Sequence, residues 1–365
     1  MPAVTDRTGS ESAERPPLPR RATIRDVALA ASVSPSTASR AVTGNGYVAP
    51  AVRARILQAA QSLGYVPNAS AQHLRRRVSR ILGVVVFDLA NSFYSGLVAG
   101  AATEARLRGY GTVLTHAGAD AADAIEPVRP LVELGVAGVL LTPYSAETGS
   151  HLRRHRIATV EVDRQFADGV SDAVVADNTA AAFRVTSQLT NLGHRRIALL
   201  IDEARWTTGR DRYTGYQIAL QHAGLPVDPS LVVSAGWNVA EATGAARRVL
   251  AGEPRPTAVV AANNVLAEGA WRAASELGLR IPEDLSLVAF DDAPWMSMVR
   301  PGVTVIAQDV AGLGRTAVEV LLARLRDPDA EVRTVVVPYQ LIQRGSTGPV
   351  PARARAVRGS AETRR

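Results

Sequence analysis

Three constellations in this sequence have residue types and spacing that could carry covalent or metal chemistry. His151 and His155 stand four apart, as zinc ligands on one helix face do, with Leu152, Arg153 and Arg154 between and beside them. No glutamate stands there to activate water, and two arginines oppose a bound cation, so the segment reads as a solvated helix. Asp291 and Asp292 could pair for general acid–base work. Adjacent side chains on a strand point to opposite faces, so only one can enter a site, and Asp291 is the one assigned. Gly312-Leu313-Gly314 lacks the third glycine and the preceding strand of a dinucleotide loop, and reads as close packing on a helix. Cysteine is absent and all 41 basic residues are arginine, which removes thiol nucleophiles, cysteine-held metal, Schiff bases and a phosphate-loop lysine. With no nucleophile–base pair, phosphate loop or metal site, no enzyme and no cofactor are expected.

The elements that would position the remaining polar groups follow a regular pattern. From Ile81 onward short β-branched runs (81–87, 112–115, 138–141, 158–162) alternate with helical periodicities, and a second set (196–201, 231–233, 258–261, 287–290) repeats the scheme. Helical spacing covers 94–108, 179–192, 211–223 and 264–277. Alternating strand and helix predicts parallel sheets covered on both faces, here two tandem doubly wound α/β lobes. Ligands of such sheets sit beyond the carboxyl ends of the strands, so two facing lobes imply a binding cleft.

Composition agrees with a soluble protein of two or three domains: 365 residues, 47% hydrophobic and 21% charged, and no apolar run near the roughly 20 residues that span a bilayer. The first twenty residues lack the apolar segment of a secretory signal, so a cytoplasmic location is expected. Charge is uneven. Residues 21–80 carry +8, residues 81–343 carry −6, and the tail 344–365 carries +5. A basic module ahead of an acidic body points to nucleic acid as its partner. Residues 1–20 and 344–365 read as disordered.

Within the basic module, Thr23-Ile24-Arg25-Asp26 fits a capping box opening a helix whose inward face is Ile24, Val27, Ala28 and Ala31. After a break at Ser32-Val33, Ser34 caps a second helix with Pro35 in its first turn, where a missing N–H costs nothing. A third helix opens at Pro50 and ends near Gly64. Two short helices across a tight turn form a helix-turn-helix in an all-α head.

Residues 22–343 resemble the lactose-repressor/galactose-repressor (LacI/GalR) family of transcription regulators. The matching residues include Thr23-Ile24-Arg25-Asp26-Val27-Ala28, Val33-Ser34, Thr37-Ala38-Ser39-Arg40, Leu63-Gly64-Tyr65-Val66-Pro67-Asn68, Asn91-Ser92-Phe93-Tyr94, Asp163-Arg164, Gly193-His194-Arg195-Arg196 and Phe290-Asp291-Asp292. The resemblance implies a helix-turn-helix domain at 21–66, a hinge helix and linker at 67–80, and a periplasmic-binding-protein-like effector and dimerisation body at 81–343. It further implies a homodimer on a palindromic double-stranded DNA operator, most often a repressor of carbohydrate genes, with a small sugar-like effector between the lobes. Its DNA contacts carry over to Thr23, Ser34, Pro35, Ser36, Thr37, Ser39 and Arg40, and in the hinge to Asn68, Ala71 and Leu74. Arg40 is read as a base contact to guanine, with a phosphate contact as the alternative. Leu74 is read as a wedge in the minor groove, the alternative being an apolar anchor.

Effector contacts carry over to Asn91, Phe93, Tyr94, Asp163 and Arg164 in the first lobe and Thr208, Arg212, Trp237, Asn263 and Asp291 in the second, with Gln308 in a crossover strand. Trp237 is read equally as a core residue, and Arg212 alternatively as a partner of Asp211. Trp206 stands where purine-binding members have an arginine, which argues against a purine and offers a stacking face. Two departures stand out: Ser32 where the family usually has glycine, and Asn264 where it often has aspartate. Helices near 92–109 and 264–277 are the expected dimer faces, and the absence of leucine heptads in the tail argues against a coiled-coil tetramer. A transporter's solute-binding protein and a sugar-processing enzyme are the rival readings, opposed by the basic head and by the missing catalytic groups.

Overall fold

A computed structural model describes residues 20, 22–65, 79–118, 123–166, 169–202 and 206–351. The hinge assignments Asn68, Ala71 and Leu74, the first nineteen residues and the chain beyond 351 lie outside the described residues. The chain divides into two compact units, 1–78 and 79–365.

The first unit is a trio of helices, α1 (Ile24–Ala30), α2 (Pro35–Thr43) and α3 (Pro50–Ser62). Its core is Val27, Ala28, Ala31, Ala38, Ala41, Ile56 and Ala60, five of them alanines that let the helix axes come close. The capping box forms as the sequence requires, with the Thr23 backbone N–H donating to the Asp26 carboxylate at 2.7 Å. The turn between α1 and α2 places Ser32 at φ 49°. That left-handed conformation is the physical reason glycine is the usual residue there, since a Cβ is strained in it. Arg55 of α3 donates to the Ala31 carbonyl at 3.1 Å and ties the turn to the third helix.

The second unit holds two six-stranded sheets. The first lobe is built on β1 (Ile81–Val86), β2 (Gly111–His116), β3 (Gly138–Leu141), β4 (Ala158–Asp163) and β5 (Asp172–Ala176), the second on β6 (Ile197–Ile201), β7 (Val232–Ser234), β8 (Ala258–Ala261), β9 (Ser286–Phe290) and β10 (Thr304–Gln308). Two late strands, β11 (Thr334–Val337) and β12 (Tyr339–Ile342), complete the edges, giving orders β11-β5-β4-β3-β1-β2 and β12-β10-β9-β8-β6-β7. All pairings are parallel except β10 with β12. The central strands are buried along their whole length, as parallel strands covered on both faces must be.

Helices on the first sheet are α4 (Ser92–Leu107), α5 (Arg129–Leu134) and α6 (Ala146–Arg154), followed by α7 (Asn178–Asn191), α8 (Thr207–His222), α9 (Val239–Leu250), α10 (Asn264–Glu276), α11 (Pro294–Met298) and α12 (Val310–Arg326). Three crossings interleave the lobes. After β5 the chain enters the second lobe through α7, which packs on α8; after β10 it returns through α12, which packs on α4; it crosses again between β11 and β12. Asp177 and Asp309 cap the two crossing helices in nearly identical backbone conformations (φ/ψ −75°/82° and −73°/81°). The Gly312-Leu313-Gly314 segment lies in α12, where a Cβ on Gly314 would strike the Leu97 carbonyl of α4, so Gly314 permits the expected close packing, whereas Gly312 makes room for the Asp309 cap carboxylate of its own helix. His151 lies on α6, its ring 4.7 Å from that of His155.

The expected boundary at 343 is corrected. Residues 344–350 form a strap along the second sheet, with Arg344 paired to Asp292 at 2.6 Å and Ser346 fully buried. The Ser346 hydroxyl accepts the Thr304 N–H at 2.8 Å and donates to the Leu287 carbonyl, and the Val350 N–H reaches the Leu192 carbonyl. Polar, glycine-containing residues read as a linker from composition, yet here they satisfy strand ends that would otherwise be orphaned.

Candidate functional site

In the first unit, the outer face of α2 presents the residues assigned to DNA. Ser34 caps the helix, its hydroxyl accepting the Thr37 N–H at 3.2 Å and bonding the hydroxyls of Ser36 and Thr37. Pro35, Ser36 and Arg40 are exposed, while Thr37 and Ser39 are half-buried. Arg40 runs beside Gly46, its Nε donating to the Ser36 carbonyl at 3.4 Å. Thr23 spends its hydroxyl on the Asp26 carboxylate, and hydrogen bonds from Thr23 hold that carboxyl below its ordinary pKa. Tyr47, just past the Gly44-Asn45-Gly46 loop, is 85% exposed. The sequence reading passed over it, although an aromatic after a glycine loop was the available signal.

In the second unit, a small cavity with about 40 Å³ of room, enough for a few waters, opens where the carboxyl ends of the two sheets meet. Nine of the twelve residues assigned to the effector line it: Asn91, Phe93, Tyr94, Asp163 and Arg164 from the first lobe, Thr208, Arg212, Asn263 and Asp291 from the second. Asp202, directly after β6, also lines it and was missed; the strand-end rule that found Asp163 would have found it. Asp163 and Asp291 end topologically equivalent strands, β4 and β9, and both take left-handed conformations, φ 74° and 65°. Aspartate tolerates that region better than most residues, and such conformations gather at binding sites. The carboxylate pair resolves as expected in outcome, though both residues lie past the strand end: Asp291 faces the cavity and Asp292 pairs with Arg344.

The charged groups are held tightly. Arg212 donates from Nε to the Asn178 side chain at 2.8 Å and from a terminal nitrogen to the Ala262 carbonyl, with its plane over Phe290. Asp211 pairs with Arg210 instead, which removes the alternative role for Arg212. Arg164 is 2% exposed, donates to the Tyr94 hydroxyl at 2.6 Å and leaves its buried Nε without a hydrogen bond. Burial pushes Asp291 up to about 6, with the Arg212 charge opposing and the Asp163 and Asp202 charges assisting. Burial also raises Asp163, against the attraction of Arg164 and Arg212, and raises the Tyr94 phenol.

Three assigned residues do not line the cavity. Gln308 stands behind Asp291 and donates to it at 2.8 Å. Trp206 is buried with its face taken by the Arg164 guanidinium, 3.7 Å from the ring centroid, so it supports an arginine instead of offering an open face. Trp237, half-buried, packs on Trp206 and on Phe87 of the first lobe. Lobe-to-lobe contact is completed by reciprocal amide bonds between Asn91 and Asn264, at 3.1 and 2.8 Å, and by the Gln165 N–H to Thr207. Asn264, the departure noted in sequence, therefore acts as a neutral clasp that both donates and accepts. Among the described residues no group of histidines and carboxylates has the arrangement to hold a metal ion, and no helix is long and apolar enough to cross a membrane.

Comparison with known proteins places these units. Residues 23–68 match the model of bacterial regulatory proteins of the lacI family, and residues 186–347 that of a periplasmic binding protein-like domain. The ribose operon repressor of Escherichia coli (strain K12) is 30% identical over 89% of this chain and 99% of its own length. Among solved structures, the lac repressor dimer bound to operator and the anti-inducer ONPF superposes with a TM-score of 0.79 at 25% identity, covering 90% of this chain and all of that one. A lacI-family regulator from Enterococcus faecium with bound ribose gives 0.66 at 28% identity, covering 74% of this chain and 99% of that one.

Proposed function

The chain belongs to the lacI family of bacterial regulatory proteins, which are transcriptional regulators and not enzymes, and from that premise we propose that it is a cytoplasmic, dimeric repressor released or recruited at a palindromic operator by a sugar bound between its lobes. The observation that carries the reading is the polar cavity at the meeting of two sets of strand ends, on the same chain as a helix whose outer face carries Ser34, Pro35, Ser36 and Arg40.

In this reading α2 lies in the major groove. Arg40 offers a guanidinium fork to guanine O6 and N7, and Pro35, having no N–H, shapes the helix start or touches a thymine methyl. Thr23, Thr37 and Ser39 steady the helix on the backbone, and Asn68, Ala71 and Leu74 act at the minor groove between half-sites. The exposed sides of α4 and α10 are the faces proposed for the partner subunit. In the cleft Asp163, Asp291 and Asn263 accept and donate to vicinal hydroxyls, and Phe93 presents an apolar face to the ring. Admitting a sugar requires the lobes to part, which breaks the Asn91–Asn264 clasp. An effector that favours one lobe arrangement thereby shifts the DNA-binding equilibrium.

Selection of DNA from a random pool by the full-length protein, followed by anisotropy titrations of the selected site with a sugar panel that includes ribose, tests this. An enriched inverted repeat whose affinity shifts at least about tenfold, or 1.4 kcal/mol, with one sugar supports it. Failure to enrich an inverted repeat overturns the DNA reading; a repeat that answers only to purine bases overturns the sugar.

A further inference from the structure

Resting on the reading of the cavity as a sugar site, we infer that its ligand is a polyol bearing no negative charge, and that the site rejects phosphorylated and carboxylated sugars. Among the described residues three carboxylates, Asp163, Asp202 and Asp291, line the cavity with two guanidinium groups, Arg164 and Arg212, so in their ionised forms these five groups carry one net negative charge. Count alone does not decide the matter; engagement does. Both arginines are tied up by neutral groups of the protein: Arg212 by the Asn178 side chain, the Ala262 carbonyl and the Phe290 face, Arg164 by the Tyr94 hydroxyl and the Trp206 face. The nearest approach of Arg164 to Asp163 is 3.9 Å, at the limit of an ion pair.

Helix N-termini could in principle supply an anion site. Two that face the cavity are closed by their own caps, since Asn91 accepts the Phe93 N–H and Asn263 accepts the Leu266 N–H. The third helix whose start lines the cavity, α8, has no side-chain cap at Trp206. What the cavity offers a ligand is therefore rich in acceptors, with the buried Nε of Arg164 as a donor that lacks a partner in the protein. A ring carrying several hydroxyls, or hydroxyls and an ammonium, supplies donors to the cavity-lining oxygens of Asp163 and Asp291. A phosphate would bring like charge into a water-poor cavity beside Asp163 and Asp291, both already pushed toward protonation. One like charge about 6 Å away at an effective dielectric of about 20 weakens binding roughly a hundredfold.

The test is calorimetric and thermal-shift titration of the full chain with matched pairs: ribose against ribose 5-phosphate, and glucose and glucosamine against glucose 6-phosphate. A neutral or amino sugar that binds, with its phosphorylated counterpart weaker by roughly a hundredfold, is the expected result. In Asp163→Asn that penalty should shrink to about tenfold or less, a change that a misfolded variant would not produce. A phosphorylated sugar that binds as tightly as its parent overturns the inference while leaving the sugar reading intact. Silence from every sugar, with DNA binding preserved, overturns the sugar reading and the inference with it.

Discussion

Asp291→Asn should make this protein more stable and deaf to its effector at once. Burial raises the Asp291 carboxyl from an ordinary 3.8 to about 6. At 1.36 kcal/mol per pH unit, that difference is worth about 3 kcal/mol. The sign follows from proton binding. Between pH 4 and 6 the folded protein holds a proton on Asp291 that the unfolded chain has lost, so stability falls as pH rises through this window and levels off above it. At pH 7.5 the ionised group therefore costs about 3 kcal/mol relative to a neutral one.

Asparagine has the same shape, accepts the Gln308 amide through its oxygen and tolerates the left-handed backbone at φ 65°. Its new amide finds carboxylates nearby but is not positioned for them, which returns about 1 kcal/mol. The net gain of about 2 kcal/mol corresponds to roughly 4 °C for a body of this size. Differential scanning fluorimetry of wild type and variant from pH 4.5 to 8 reads this directly. The difference between the curves should grow from near zero at pH 4.5 to its full value above pH 6.5, which isolates Asp291 from His194 and every other titrating group. A variant that melts at or below the wild-type temperature at pH 7.5 would refute the reasoning, as would parallel curves.

Three further outcomes are expected. Asn264→Asp removes the donor that Asn264 gives to Asn91 and adds a fourth carboxylate at the cleft, so melting at pH 7.5 should drop by the equivalent of about 1–2 kcal/mol and recover on acidification as the new acid regains a proton to donate. Ser346→Ala leaves the Thr304 N–H and the Leu287 carbonyl without their partner inside the second lobe, a loss of about 2–3 kcal/mol measurable by urea denaturation; an unchanged midpoint would mean the strap is dispensable. Arg40→Ala should cost about 1–3 kcal/mol on the selected operator and much less on random DNA, read by anisotropy at fixed salt, whereas equal losses on both would assign Arg40 to phosphate.

Much of this was legible because strand ends are legible. Runs such as Val139-Leu140-Leu141 and Val259-Val260-Ala261 announce buried parallel strands, and the polar residue just beyond each one is where a ligand must be met. Nine of twelve assigned cleft residues follow from that geometry joined to the family resemblance. What escaped were facts of tertiary contact. Trp206 carries no sign in sequence that Arg164, forty-two positions earlier, will occupy its ring face. Strands β11 and β12 are short and lie at sheet edges, where burial is partial and the hydrophobic pattern fades. The strap at 344–350 escaped because serine, threonine and glycine look alike whether they are solvated or satisfying buried backbone groups. Conversely, the two oddities of sequence acquired physical content: Ser32 sits at a positive φ, and Asn264 closes a bond that needs a donor as well as an acceptor.

The interleaving of the lobes has a consequence for how the protein is made. The three helices of the first unit are complete at Ser62, but the first sheet lacks β11 until Val337 and the second lacks β12 until Ile342, and the first lobe lacks α12 until Arg326 has been added. Some 280 residues separate those events, which at 5–20 residues per second of synthesis is roughly 15–55 s. Throughout that interval a nascent chain carries a finished DNA-binding head ahead of incomplete sheets, and then both lobes close within the last few seconds of translation. On the ribosome, the part that grips DNA precedes the part that governs the grip.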